Sequence, residues 1–164
     1  MVAPIEPGGV SRRDDKVNIL LVDDQPARLM SYESILSELG QNLVMARSGL
    51  EALERLMASE FAVVLLDVNM PGMDGFETAS MIHEHPRFEK TPIIFVTGVH
   101  VSELDRLQGY QLGAVDYVSI PVVPEILRSK VAVLVELLAW VALALALLGW
   151  RGSPRRRGRE AGAA

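Results

Sequence analysis

Five times along the chain, a short aliphatic run ends in a polar or turn-forming residue, and apolar residues at helical spacing follow. The runs are Val17–Val22, Asn42–Ala46, Phe61–Leu66, Pro92–Val96 and Val115–Ser119. The third is the most uniform, with no polar position between Phe61 and Asp67. A strand with one wet face alternates apolar and polar residues. A strand without that alternation is buried on both faces, as in a parallel sheet flanked by helices. Short connections between the repeats predict one α/β domain: a doubly wound parallel sheet, helices on both faces, right-handed crossovers.

The intervening helices carry their own signals. Pro26 fits a first turn, Leu29, Met30, Tyr32, Ile35, Leu36 and Leu39 follow at helical spacing, and Gly40 reads as a C-terminal cap. Ser48 and Glu51 form the pattern of a capping box, with Leu50, Leu53, Leu56 and Met57 on one face of the helix they open. Phe76, Ala79, Met81 and Ile82 predict a third helix, to about Glu84. A fourth is expected from Ser102 to Leu112, with Glu103 and Asp105 in the first turn, where the helix dipole favours them, and Gly113 closing it. Pro124 opens a fifth. Met30, Met45, Met57 and Met81 read as core filler, and Gly72 and Gly75 as turn residues. His83, His85 and His100 lack metal-ligand spacing with a third group and read as exposed loop histidines.

Charge and composition exclude several functions. Residues 1–150 hold 11 basic against 20 acidic side chains, which makes this body a poor nucleic-acid binder. The absence of Cys removes disulfides, thiol catalysis and thiolate metal sites. The first residues lack the apolar core of a secretory signal, and 1–15 read as a flexible leader.

The polar residues at the strand ends are Asp23 and Asp24, Asp67, and Thr97. A doubly wound sheet brings such ends to one edge. Three carboxylates gathered there repel, and a divalent cation relieves the repulsion. Oxygen-only ligands favour Mg²⁺, bound by one or two carboxylates plus phosphate oxygens. A carboxylate beside Mg²⁺ can attack phosphorus and form an aspartyl phosphate, and the Thr97 hydroxyl can donate to a phosphoryl oxygen.

In these residues the chain resembles the receiver domain of bacterial two-component response regulators. The matching stretches are Ile19-Leu20-Leu21-Val22-Asp23-Asp24, Leu65-Leu66-Asp67-Val68-Asn69-Met70-Pro71-Gly72-Met73-Asp74-Gly75, Pro92-Ile93-Ile94-Phe95-Val96-Thr97 and Gly113-Ala114-Val115-Asp116-Tyr117. The resemblance covers 16–136. It implies a flavodoxin-like fold of strand order 2-1-3-4-5 and a cytoplasmic phosphorelay role. By the same resemblance, Asp67 accepts a phosphoryl group from a histidine kinase or phosphotransfer protein. Asp23, Asp24, Asp67 and the backbone carbonyl of Asn69 hold Mg²⁺, and Thr97 and Tyr117 form the switch pair. The family has a Lys immediately before the proline that follows Tyr117, and here that position is Ile120. Ile120 offers no cation to phosphoryl oxygens, and neither Lys90, His100 nor Lys130 obviously replaces the Lys. An aliphatic residue there resembles receivers at the N-terminus of larger signalling proteins, whose last helix runs on as a linker.

Ile120 also motivates an alternative: a pseudo-receiver that binds partners or dimerises without phosphorylation. A small phosphatase or phosphotransferase is disfavoured. It needs a second acid where Asn69 stands, and the chain has no Gly-Lys-Ser/Thr phosphate loop. No helix-turn-helix or basic recognition helix is expected after the receiver.

The end of the chain breaks the pattern. Between Val131 and Trp150 the only charge is Glu136. Residues 137–150 are expected to extend the last helix, and 151–164 to form an Arg-rich disordered tail. Three readings stay open: a membrane span, an apolar dimer interface, or an end that does not naturally continue a receiver. Arg151, Arg155, Arg156, Arg157 and Arg159 would lie outside a cell whose cytoplasm holds the receiver, so the charge pattern does not favour a span.

Overall fold

A computed structural model describes residues 16–98 and 102–150. The order is β1 (Asn18–Val22), α1 (Pro26–Leu36), a 3-10 turn (Ser37–Leu39), β2 (Asn42–Ala46), α2 (Gly49–Ala58), β3 (Val63–Asp67), α3 (Gly75–Glu84), β4 (Ile93–Thr97), α4 (Glu103–Gln111), β5 (Ala114–Ser119) and α5 (Pro124–Trp150). The strands form one parallel sheet in the order β2-β1-β3-β4-β5. This is the flavodoxin-like order that the family resemblance implied.

Every residue of β3 and β4 is buried, because the sheet is covered on both sides. Strand periodicity sends alternate residues to opposite faces. Leu20, Val22, Val64, Leu66, Ile93 and Phe95 pack with Ala52 and Leu56 of α2 and Ala79 and Ile82 of α3. Ile19, Leu21, Val63, Leu65, Ile94 and Val96 pack with Leu29, Tyr32 and Leu36 of α1 and Leu127 and Val131 of α5. The register aligns Val22 with Leu66 and Asp67 with Val96, so β1, β3 and β4 end at one edge.

The helix termini depart from expectation. Ser48 caps α2 by accepting the Glu51 N–H, but the Glu51 carboxylate takes the Arg47 N–H rather than that of Ser48. The box is therefore half formed. A complete one opens α3 instead, where Asp74 accepts from the Glu77 N–H and Glu77 accepts from the Asp74 N–H.

Three methionines read as core filler are on the surface: Met30, Met57 and Met81 lie on the outer faces of α1, α2 and α3. Leu50 is also exposed, and Ala52 and Leu56 make the buried face of α2. His83 is not a loop residue. It belongs to α3 and packs against Gly113, whose φ of +85° and lack of Cβ leave room for the imidazole. His85 caps α3 and stacks on Phe88, with ring centroids 4.2 Å apart. His100, the leader 1–15 and the tail 151–164 lie outside the described residues.

Residues 137–150 continue α5 without a break. Leu127 and Val131 anchor the helix in the core, Leu134 and Val135 are half-buried, and the residues from Leu137 to Gly149 are exposed. Pro124–Gly149 is long and apolar enough to cross a membrane, with 6% of the most apolar window buried.

Candidate functional site

The acidic edge is assembled by three chain segments. Asp23 and Asp24 follow the last residue of β1, and Asp67 is the last residue of β3. Because β1 and β3 are hydrogen-bonded neighbours in register, the three carboxylates meet: one oxygen from each lies within 4.8 Å of the others. Asp67 is 1% exposed and Asp23 fully buried.

Each acid is held differently. Asp23 Oδ1 accepts from the Gln25 N–H at 2.9 Å, and its Oδ2 accepts from the Tyr32 hydroxyl at 2.9 Å. Asp67 Oδ1 accepts from the Asn69 N–H at 3.3 Å. Asp24 Oδ1 is buried and accepts no hydrogen bond from the described residues. Burial, and then the neighbouring Asp23 carboxylate, push the Asp67 carboxyl up to about 6. Burial also raises Asp23 above the usual carboxylate range. Such shifts show that charge is held here at a cost.

A cation missed in the sequence lies among these acids. Arg28, in the first turn of α1, pairs through Nε with Asp23 Oδ2 at 3.2 Å. Its Nη2 pairs with Asp67 Oδ2 at 3.2 Å and reaches Asp24 Oδ1 at 3.8 Å. The available signal was its place four residues after Asp24, on the helix that leaves the acidic edge.

The donor set suits a hard divalent ion. It is all oxygen, it carries more negative charge than Arg28 neutralises, and Asp24 holds a buried oxygen with no hydrogen bond. Asn69 lies in the loop two residues past Asp67, with its side chain exposed.

Thr97, nearly buried, ends β4 one position beyond the residue paired with Asp67, so it borders the cluster. Its carbonyl accepts the Ile120 N–H at 2.9 Å, and Ile120 packs beside the core. Tyr117 lies in β5 beside Phe95, two residues before Ser119, which pairs with Thr97. Its ring packs on Phe95 and Tyr110, and its hydroxyl donates to the Arg106 carbonyl at 3.3 Å. The hydroxyl fills the place a side chain on Gly109 would occupy, so Tyr117 is packed into α4. Lys130 pairs with Asp116 and does not take the role of the family's missing Lys.

Gly75 has a positional role beyond a turn. A Cβ there would stand 2.3 Å from the Asp67 carbonyl oxygen and 2.7 Å from Val68 Cα, both backbone atoms that cannot step aside. Gly75→Ala is expected to cost about 1–3 kcal/mol by overpacking and to displace the Asp67 loop. Urea unfolding would show the loss, whereas an unchanged midpoint would mean that the loop yields freely.

The comparisons follow this geometry. The response regulator receiver domain matches residues 19–132. A probable cyclic di-GMP phosphodiesterase of Vibrio cholerae is 42% identical over 113 residues, 69% of this chain and 25% of that protein. The signal transduction histidine-protein kinase BarA of Escherichia coli is 32% identical over 114 residues, 69% of this chain and 12% of that protein. The chain thus spans a quarter or less of these two relatives. Among solved structures, the chemotaxis protein CheY4 of Vibrio cholerae aligns with a TM-score of 0.68 at 28% identity, covering 73% of this chain and 98% of that one. With its sheet order, its strand-end acids and this match over most of its length, the chain belongs to the response regulator receiver domain family of two-component signalling.

Proposed function

We propose that this receiver is a cytoplasmic phosphorelay module that accepts a phosphoryl group on Asp67 from a histidine kinase or phosphotransfer protein. The carrying observation is the gathering of Asp23, Asp24 and Asp67, with ligand atoms within 4.8 Å. Asp67 attacks the phosphorus of a phosphohistidine. A carboxylate oxygen–phosphorus bond forms, the nitrogen–phosphorus bond breaks, and its electron pair returns to the imidazole. Asp23, Asp24, Asp67 and the Asn69 carbonyl would hold Mg²⁺, which would supply positive charge against the phosphoryl oxygens. Asp67, with its carboxyl at about 6, is largely ionised at neutral pH and is more basic than an ordinary aspartate. Thr97 at the end of β4 donates its hydroxyl to a phosphoryl oxygen, and Tyr117 reports the change to α4, on which it packs.

The assembled cluster supports this reading over a pseudo-receiver, which needs no acids brought together. Ile120 is the observation on the other side. The test is incubation of the full chain with Mg²⁺ and acetyl phosphate, followed by mass spectrometry. One phosphoryl group per chain, mapped to Asp67, is expected. An unmodified wild type would favour the pseudo-receiver.

A further inference from the structure

We infer that Arg28 is a resident cation of the acidic site which a divalent ion must displace, so that this side chain sets the site's metal affinity. The inference rests on the reading of Asp23, Asp24 and Asp67 as metal ligands.

One guanidinium reaches all three carboxylates, through Nε to Asp23 and through Nη2 to Asp67 and Asp24. It is also tethered, since Nε lies 3.1 Å from Gln25 Oε1, and the Arg28 N–H donates to the Gln25 carbonyl in the first turn of α1. Arg28 therefore approaches from a fixed helix start and does not sample the site by chance. Its planar fork suits several carboxylate oxygens at once.

A guanidinium and Mg²⁺ cannot both hold these oxygens. The metal draws its ligands to about 2.1 Å, whereas Arg28 spaces the Asp23 and Asp67 oxygens around itself at 3.2 Å. Two cations at that separation would also repel. The metal must therefore move Arg28 outward, and the side chain has a route because it is 23% exposed. With Arg28 in place, three negative charges are partly balanced before any ion arrives. The electrostatic gain on metal entry is correspondingly smaller, and the apparent affinity falls with the fraction of molecules in which Arg28 is inside.

The experiment is a calorimetric Mg²⁺ titration of the full chain at pH 7.5 with wild type, Arg28→Met and Arg28→Lys, each checked for folding by circular dichroism. Arg28→Met is expected to bind Mg²⁺ about tenfold more tightly, the effect of removing one partly screened unit charge a few ångströms away. Arg28→Lys, which keeps the charge, should stay within a few-fold of wild type. Equal or weaker binding by folded Arg28→Met overturns the inference alone. No binding by any of the three overturns the metal-site reading and the inference with it. A second readout needs no variant: the wild-type Arg28 Nε–H resonance should move toward that of an exposed guanidinium as Mg²⁺ is added. A resonance unmoved at saturating Mg²⁺ also overturns the inference.

Discussion

Replacing Asp67 by Asn is expected to abolish phosphoryl uptake and, in metal-free buffer at neutral pH, to make the protein more stable. The first effect follows from loss of the nucleophilic carboxylate. The second follows from the cost of keeping that carboxylate charged. Burial and Asp23 raise the folded-state value of Asp67 to about 6, against 3.8 for an ordinary aspartate, and this is already net of the attraction to Arg28. A raised folded value contributes stability that is complete below the unfolded value and is lost as pH rises through the folded one. Above about pH 7, wild type has therefore lost about 3 kcal/mol relative to its state well below pH 3.8, at 1.36 kcal/mol per unit. Asn keeps the size and hydrogen-bonding capacity without the charge. Its advantage should approach that figure at pH 7.5 in EDTA, shrink near pH 5 and vanish below about pH 4. Urea unfolding at these values checks it. An advantage of equal size at pH 4 would assign it to packing rather than to charge. Mg²⁺ should then stabilise wild type more than Asp67→Asn, because ligand binding to the folded state adds to its stability.

This trade between charge and stability was partly legible in the sequence. The Asp23–Asp24 pair and Asp67 each follow an aliphatic run, and a parallel sheet has to bring such ends together. Arg28 was not legible. Four residues after Asp24 it resembles an ordinary helix pair, and its partner Asp67 is 39 positions away, so only the fold joins them. Met30, Met57 and Met81 were misread because an apolar side chain near a helical stripe was counted as part of it, although each falls on the outer side. Ser48 and Glu51 had the right spacing for a capping box, but spacing does not decide which N–H the Glu takes. The complete box of Asp74 and Glu77 was overlooked because Asp74 sits among Pro71, Gly72 and Gly75, where the loop signal dominated. His83 was grouped with His85 and His100 as a loop histidine although the expected third helix already reached Glu84, and only the fold shows its imidazole filling the gap above Gly113.

Deleting residues 137–164 is expected to change association strongly and stability hardly at all. Leu127 and Val131 tie α5 to the core, and the residues from Leu137 to Gly149 are exposed, Trp140 at 68%. Removing them takes no described residue from the core, so the urea midpoint of chain 1–136 should match that of the full chain within about 0.5 kcal/mol. The same residues form an apolar rod with no polar stripe, and a helix apolar on every side has to be covered. The full chain should therefore sediment as an oligomer in plain buffer, or with detergent or lipid when these are supplied, and 1–136 as a monomer. The free part of α5 is about 20 Å long at 1.5 Å per residue, short of the roughly 30 Å of a hydrocarbon core. A full span, about 20 residues at that rise, would reach back to Val131 and have to draw it out of the receiver, at about 1.5–3 kcal/mol. Flotation with vesicles combined with the receiver's unfolding midpoint separates these cases. Binding to vesicles with an unchanged midpoint means that the rod lies in the interface, and binding with a lowered midpoint means that α5 has been pulled from the core. A full chain that stays monomeric without lipid or detergent would contradict the prediction outright.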